Sequence, residues 1–207
     1  KNSVHSPGKQ TMQPIGDAVP RRGNALSRAC GRLALRLLRF KIEGELPNEP
    51  KFVLIGAPHT SNWDFIISMA VMMATGLQLS WMGKEEMFDH PLRRFFIWMG
   101  GLPVDRSAAG GVVGETVEAF KRHEKLIIVV APEGTRASAP NWKSGFYRIA
   151  AGAGVPIVLG YLDFERRVLG FGPAFMPTGD QAADIAKIRS FYANIVPRYS
   201  DRYDKTD

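Results

Sequence analysis

The sequence predicts an α/β fold, a mostly parallel central sheet flanked by helices, on three observations. Short apolar runs alternate with segments of helical periodicity along most of the 207 residues, which is the pattern of parallel strands joined by helices. The run at 126–131 is apolar at every position, as in a strand buried on both faces of a sheet. The composition, 45% hydrophobic and 23% charged, is that of a folded domain.

The predicted elements follow one another in a regular order. Apolar runs that end at glycine, proline or polar loops predict strands at 51–57, 79–83, 102–104, 126–131 and 155–161. Helical spacing of apolar residues predicts helices at 24–41, 62–75, 91–99, 112–123, 146–153 and 181–199. Residues 1–23 are rich in Pro, Gly and polar side chains and are expected to be a disordered leader or residual cloning sequence. Residues 42–207 are expected to form one domain.

The segment 24–41 has the pattern of a basic amphipathic helix. Apolar residues recur at helical spacing on one side, at Leu26, Cys30, Leu33, Leu37 and Phe40. Arginines fall on the other side, at Arg28, Arg32, Arg36 and Arg39. Such a helix either lies in the headgroup region of an anionic membrane, arginines on lipid phosphates, or packs on the domain with a solvated basic face. The net charge of +7 suits an anionic partner.

Two polar loops, 58–64 and 132–136, each follow an apolar strand, and sites in such folds gather at the carboxyl ends of strands. The first loop contains His59 and Asp64. Histidine removes protons near neutral pH, and a carboxylate on its other ring nitrogen orients it and stabilises the imidazolium. On an unbroken helix, residues five apart point about 140° from each other. The pair therefore needs a turn, and residues 60–62 (Thr-Ser-Asn) are turn and N-cap formers.

A series of motifs runs through about residues 50–165. In chain order they are H-x4-D at 59–64, a glycine leading to an arginine at 101–106 (GLPVDR), P-E-G-T-R at 132–136, W-K-S-G at 142–145 and V-P-I-V at 155–158. Together they resemble the motifs of the lysophospholipid acyltransferase family, which includes the 1-acylglycerol-3-phosphate acyltransferases. H-x4-D alone is a weak signal, but two motifs in order, each after an apolar strand, form a strong one.

The resemblance implies transfer of a fatty acyl group from acyl-CoA or acyl-carrier protein to the free hydroxyl of a lysophospholipid. Lysophosphatidic acid would give phosphatidic acid, and no cofactor or metal is implied. His59 would be the general base, and Asp64 its orienting partner. The implied substrate-binding residues are Arg106, Glu133, Gly134, Thr135 and Arg136, with Lys84 and Lys143 adding positive potential, because guanidinium and ammonium groups suit phosphate. Residues 42–207 would then be the acyltransferase domain of a peripheral protein on the cytoplasmic face of the membrane.

The cysteine count and the absence of certain motifs from the sequence argue against several other kinds of site. Cys30 is the one cysteine, which excludes an intrachain disulfide and a cysteine-based zinc site. There is no G-x-S-x-G motif for a nucleophilic serine, so direct attack by the acceptor hydroxyl is favoured over a covalent acyl-enzyme. A metal-dependent hydrolase built on His59, Asp64 and Glu133 would need a second histidine near the first, and the sequence has none.

Two further interpretations stay open on the sequence. The acceptor is another lysolipid, such as a lyso-aminolipid, in which case the arginines lose their predicted phosphate. Alternatively, the chain is a non-catalytic peripheral lipid-binding protein held by its basic helix. Nucleic-acid binding explains the positive charge but none of the motifs, so no nucleic-acid partner is expected.

Overall fold

The computed structural model describes residues 12–89, 91–105, 110–134 and 142–199. The strands are β1 (Lys41–Gly44), β2 (Lys51–Ala57), β3 (Ser80–Lys84), β4 (Gly101–Val104), β5 (Leu126–Val130), β6 (Ile157–Asp163) and β7 (Val168–Phe175). The helices are α1 (Ala25–Leu38), α2 (Asn62–Thr75), α3 (Arg93–Trp98), α4 (Gly111–Arg122), α5 (Gly145–Ala153) and α6 (Gln181–Tyr192), with a 3-10 turn at Glu85–Phe88.

The strands form one sheet of seven in the order β1-β7-β6-β2-β5-β3-β4. The central strand β2 is parallel to β5 and β6, and β3 is parallel to β5 and β4. The exception is β7, which is antiparallel to β6 and carries β1 parallel to itself at the edge. The predicted α/β class with a mostly parallel sheet is therefore confirmed.

Helices cover both faces of the sheet. Alternate residues of β2 point to opposite sides, so that Phe52 and Leu54 pack with α1 and α2, and Val53 and Ile55 pack with α4, α5 and α6. The short helix α3 lies on the same side as α1 and α2. The centres of the Phe96 ring and the Trp81 ring of β3 are 6.4 Å apart. Trp81 is paired in register with Val129 of β5, and Val129 packs in the core beneath α1 and α2. We call α1, α2, the 3-10 turn and α3 the upper layer.

Helix α1 is shorter than predicted and has two apolar faces. It begins with a reciprocal cap between Asn24 and Ser27 and ends where Arg39 adopts the left-handed conformation, so the predicted continuation to residue 41 is wrong. One face, with Leu35 buried, packs on α2. The other leaves Leu33 and Leu37 56% and 75% exposed. Within the described part of the chain, no helix is both long and apolar enough to cross a membrane.

Gly31 sets how closely α1 approaches α2. A Cβ at this position would lie 2.3 Å from the backbone nitrogen of Ala74 and 2.8 Å from the carbonyl oxygen of Ala70. Alanine normally stabilises a helix interior relative to glycine. Here we expect Gly31→Ala to lower the free energy of unfolding by about 1–3 kcal/mol, because the helices must move apart. Chemical denaturation measures the effect, and Ala29→Gly on the exposed side serves as the ordinary helix control. A stabilised Gly31→Ala protein would contradict this packing.

Three sequence predictions need correction. Strands β1 and β7 were not predicted. The last helix ends at Tyr192 and not at residue 199, because the following segment turns back and Val196 O accepts the N–H of Phe164. Residues 12–23 are not disordered, since Val19 is 1% exposed and Met12 N–H donates to Ile42 of β1. Residues 1–11 lie outside the described residues.

Candidate active site

The His59–Asp64 pair sits where β2 gives way to α2. Ser61 is in extended conformation and caps the helix, its hydroxyl accepting the N–H of Trp63 at 3.2 Å. Asp64 is the third residue of α2 and completes a reciprocal capping box with Ser61. This is the turn that the five-residue spacing required. It brings Asp64 Oδ2 to 3.1 Å from His59 Nδ1, so the predicted pair is confirmed as a contact.

Asp64 is held rigidly as an acceptor. Its Oδ2 accepts the N–H groups of Thr60 and Ser61, both at 2.8 Å, and its Oδ1 accepts the Ser61 hydroxyl at 3.0 Å. The N-terminal end of α2 further favours a negative charge there. With Asp64 accepting from Nδ1–H, the neutral imidazole of His59 carries its lone pair on Nε2. The His59 side chain is 27% exposed, so the imidazole is partly accessible to solvent.

Glu133 joins the two predicted loops. Its Oε1 accepts the backbone N–H of His59 at 3.2 Å across 74 residues of sequence. The residue is 5% exposed, and its Oε2 has no hydrogen-bond partner among the described residues. Burial raises the pKa of the Glu133 carboxyl to about 7, although the N–H of His59 opposes the shift. Glu133 therefore helps to fix the backbone of His59 through one carboxyl oxygen. The other oxygen is buried beside the dyad without a hydrogen-bond partner among the described residues.

Lys143 packs against the second loop. Gly134 has a φ of +64°, and a Cβ there would lie 3.0 Å from Lys143 Nζ. The backbone N–H of Lys143 also donates to Pro132 O at 2.8 Å. Glycine at residue 134 thus serves both its left-handed conformation and the close approach of the lysine stem. Lys143 therefore lies beside the P-E-G-T-R loop, and the predicted roles of Gly134 and Lys143 in binding substrate stay predictions.

Comparison with known proteins gives the family of the chain and a similar fold. Residues 38–159, more than half of the chain, match the model of the family described as Acyltransferase. The chain belongs to the acyltransferase family. Its fold is similar to the crystal structure of the 1-acyl-sn-glycerophosphate (LPA) acyltransferase PlsC from Thermotoga maritima, with a TM-score of 0.56 and 18% identity over 80% of this chain and 77% of that one. No curated protein sequence matches the chain. The expected enzyme class is therefore confirmed.

Several predicted substrate-binding residues of this acyltransferase are not placed. Arg106, Thr135 and Arg136 lie outside the described residues, as does the side chain of Lys84, which is the last residue of β3. Their roles at an acceptor phosphate stay predictions. The structure does place the residues just before Arg106, because β4 ends at Val104 and is parallel to β3, so the two strands have their carboxyl ends on the same side of the sheet.

The acyltransferase also has residues beside the dyad that the sequence did not indicate. Tyr199 N–H donates to the hydroxyl of Thr60 at 3.4 Å. The guanidinium of Arg198 lies 5.0 Å from the centre of the Trp63 ring, within the range of a cation–π contact. These contacts were not expected, because the predicted helix continued through residue 199. Pro197 could have indicated the end of the helix, since proline disfavours a helix interior.

Proposed function

We propose that this acyltransferase moves a fatty acyl group from a thioester, acyl-CoA or acyl-carrier protein, to the free hydroxyl of a lysophospholipid. Lysophosphatidic acid is the proposed acceptor and phosphatidic acid the product. The observation that carries the proposal is the 3.1 Å contact between His59 Nδ1 and an Asp64 carboxylate held by three further hydrogen bonds. Such a pair suits general-base catalysis on a hydroxyl.

The proposed reaction is direct attack. The acceptor hydroxyl oxygen bonds to the thioester carbonyl carbon while His59 Nε2 takes its proton. The imidazolium that forms is stabilised by Asp64, which keeps its negative charge. The tetrahedral intermediate then collapses, the carbon–sulfur bond breaks, and the proton passes from His59 to the departing thiolate. Two substrates supply every atom, and the proposal involves no cofactor.

The phosphate of the acceptor is proposed to bind the cations around the second loop. Among the described residues of this region, Lys143 packs over Gly134. Arg106 and Arg136 are proposed to add bidentate contacts, because the planar guanidinium matches phosphate geometry. Lys84, Glu133 and Thr135 complete the proposed site.

The enzyme is proposed to work as a peripheral protein on the cytoplasmic face of an anionic membrane. Support comes from α1, whose Leu26, Leu33 and Leu37 are 71%, 56% and 75% exposed and whose sequence has no acidic residue. A helix with exposed leucines and arginines suits the headgroup region of a bilayer.

A substrate panel tests the proposed reaction. Purified protein is incubated with acyl-CoA or acyl-carrier protein as donor, and with lysophosphatidic acid, other lysophospholipids or a lyso-aminolipid as acceptor, and products are measured by mass spectrometry. We expect the highest kcat/KM with lysophosphatidic acid. Preference for a phosphate-free acceptor would remove the proposed role of the cations. Absence of product with every pair would leave a lipid-binding protein.

A further inference from the structure

The chain that follows α6 returns to the loop that contains the dyad. Helix α6 ends at Tyr192, and Ile195 just beyond it is 1% exposed, so this segment packs on the domain. Val196 O then accepts the N–H of Phe164, in the turn between β6 and β7, at 2.9 Å. We call residues 196–199 the strap.

The strap contacts a residue that holds Asp64. The N–H of Tyr199 donates to the Thr60 hydroxyl at 3.4 Å, and the N–H of Thr60 donates to Asp64 Oδ2 at 2.8 Å. Thr60 is 1% exposed and follows His59 directly in the chain. Because the bond from Tyr199 is long for an N–H donor, it fixes the strap less firmly than the side-chain contact beside it.

That side-chain contact is made by Arg198, whose guanidinium lies among three aromatic rings. Its central carbon is 5.0 Å from the centre of the Trp63 ring and 5.7 Å from the centres of the Phe164 and Tyr199 rings. These distances are within the range of cation–π contacts. Trp63 stands directly before Asp64 in the first turn of α2. Arg198 therefore links the helix that carries Asp64 to the turn after β6.

The strap and Glu133 hold the dyad loop from opposite sides. Strand β2, which leads into the loop, lies between β5 and β6 and is parallel to both. Glu133 follows β5 and accepts the N–H of His59, whereas Phe164, which anchors the strap, follows β6. The cations proposed to bind the acceptor phosphate belong to the β5 side. Arg198 lies on the other side, where a positioning role fits its contacts better than phosphate binding.

We propose that Arg198 is a positioning residue of this acyltransferase, and that it holds the His59–Asp64 loop in place through the Trp63 ring. The capping box that presents Asp64 to His59 then keeps its geometry. A released loop would sample other positions, and the rate falls with the fraction of molecules in the competent geometry. The kinetic consequence rests on the proposed function, whereas the effect on the loop is independent of any substrate.

Steady-state kinetics of Arg198 variants tests the positioning role. Arg198→Ala should lower kcat roughly tenfold with KM nearly unchanged. Arg198→Lys, which keeps a cation for the Trp63 ring, should recover most of this loss. Arg148→Ala is the matched control and should keep wild-type kcat, because Arg148 is an exposed arginine on α5, on the opposite face of the sheet. A raised KM with wild-type kcat in Arg198→Ala would mean that Arg198 binds substrate, and would overturn the positioning role.

A double-mutant cycle tests whether Arg198 acts through Trp63. Trp63→Leu removes the ring and should lower kcat about as much as Arg198→Ala does. The double variant should lose little more than either single variant, because both changes remove one contact. Trp63→Phe keeps a ring and should retain most of the wild-type kcat. Losses that multiply in the double variant would overturn the route through Trp63.

Amide hydrogen exchange without substrate, measured by mass spectrometry, tests the loop itself. The N–H groups of Thr60 and Ser61 report on it, because both donate to Asp64 Oδ2. In Arg198→Ala, peptides that cover residues 59–65 should exchange roughly fivefold faster than in wild type, and peptides from α4 should exchange at the wild-type rate. Arg148→Ala should match wild type in both.

The exchange result also separates the strap from the proposed reaction. Wild-type exchange at 59–65 in Arg198→Ala would overturn the strap as a support of the loop. Equally faster exchange in α4 would assign the effect to global stability and overturn it as well. Faster exchange confined to the loop, in a protein that turns over no acceptor, would support the strap and defeat the proposed reaction alone.

Discussion

Replacing His59 with alanine is expected to lower kcat about a hundred- to ten-thousand-fold, which is the usual contribution of a general base. The loss should fall on kcat more than on KM, since the proposed role of His59 is to take a proton in the transition state and not to hold the acceptor phosphate. Asp64→Asn should lower kcat about a hundredfold or more, because the amide keeps an oxygen for the loop N–H groups but loses the charge that stabilises the imidazolium.

Steady-state kinetics with the best substrate pair measures these effects, and chemical denaturation separates them from loss of fold. His123→Ala is the matched control, because this exposed histidine is the C-cap of α4 and its Nδ1 pairs with the backbone carbonyl of Ala119 at 2.9 Å. It should keep wild-type kcat. A His59→Ala protein with more than a tenth of the wild-type kcat would contradict the proposed base mechanism.

Glu133→Gln is expected to change how stability depends on pH. Burial raises the Glu133 pKa from 4.5 to about 7 in the folded chain. Between these values the unfolded chain has lost the proton and the folded chain keeps it, so wild-type stability falls as the pH rises. Above pH 7 the loss amounts to about 3 kcal/mol. Glutamine retains an oxygen for His59 N–H and has no charge to bury, so this loss should vanish.

Urea denaturation of wild type and Glu133→Gln at pH 5 and pH 8 measures the difference. The variant should gain about 2.5 kcal/mol relative to wild type between the two pH values, because part of the effect is already present at pH 5, and other titrating groups cancel in the comparison. Glu118→Gln is the control, because that carboxyl lies exposed on α4 beside Lys121. The same stability difference at both pH values would mean that Glu133 is ionised throughout. Glu133→Ala should in addition lower kcat, because His59 N–H loses its acceptor.

Local sequence signals predicted the elements that depend on local physics. The apolar runs of β2 and β5 and the cap of α2 are visible in the chain itself. Strand β7 is different, because Gly170 and Gly172 weaken its strand signal. Glycine is needed at these positions because of residues far away in the sequence. A Cβ at residue 170 would lie 2.2 Å from the Tyr161 side chain, and one at residue 172 would lie 2.5 Å from the Phe191 side chain. No pattern within the strand contains that information.

The contacts of the candidate site were likewise predictable where they depend on neighbouring residues, and not where they join distant segments. The spacing of His59 and Asp64 predicted a contact that needs one turn, and the turn is encoded by the intervening residues. The hydrogen bond from His59 N–H to Glu133 spans two loops, so sequence placed both residues in one site without indicating how they touch. The contact of Tyr199 with Thr60 depends on the chain turning back after α6, which periodicity predicted as more helix.

The close packing of α1 on α2 through Gly31 has a mechanical consequence. The close backbone contact couples the positions of the two helices, and the first turn of α2 carries Asp64. In the proposed membrane-bound state, a change in how deeply the leucines of α1 insert into lipid would therefore also shift the dyad relative to the lipid surface. An enzyme docked in this way would sense lipid packing and curvature directly through its rate, with no separate regulatory site.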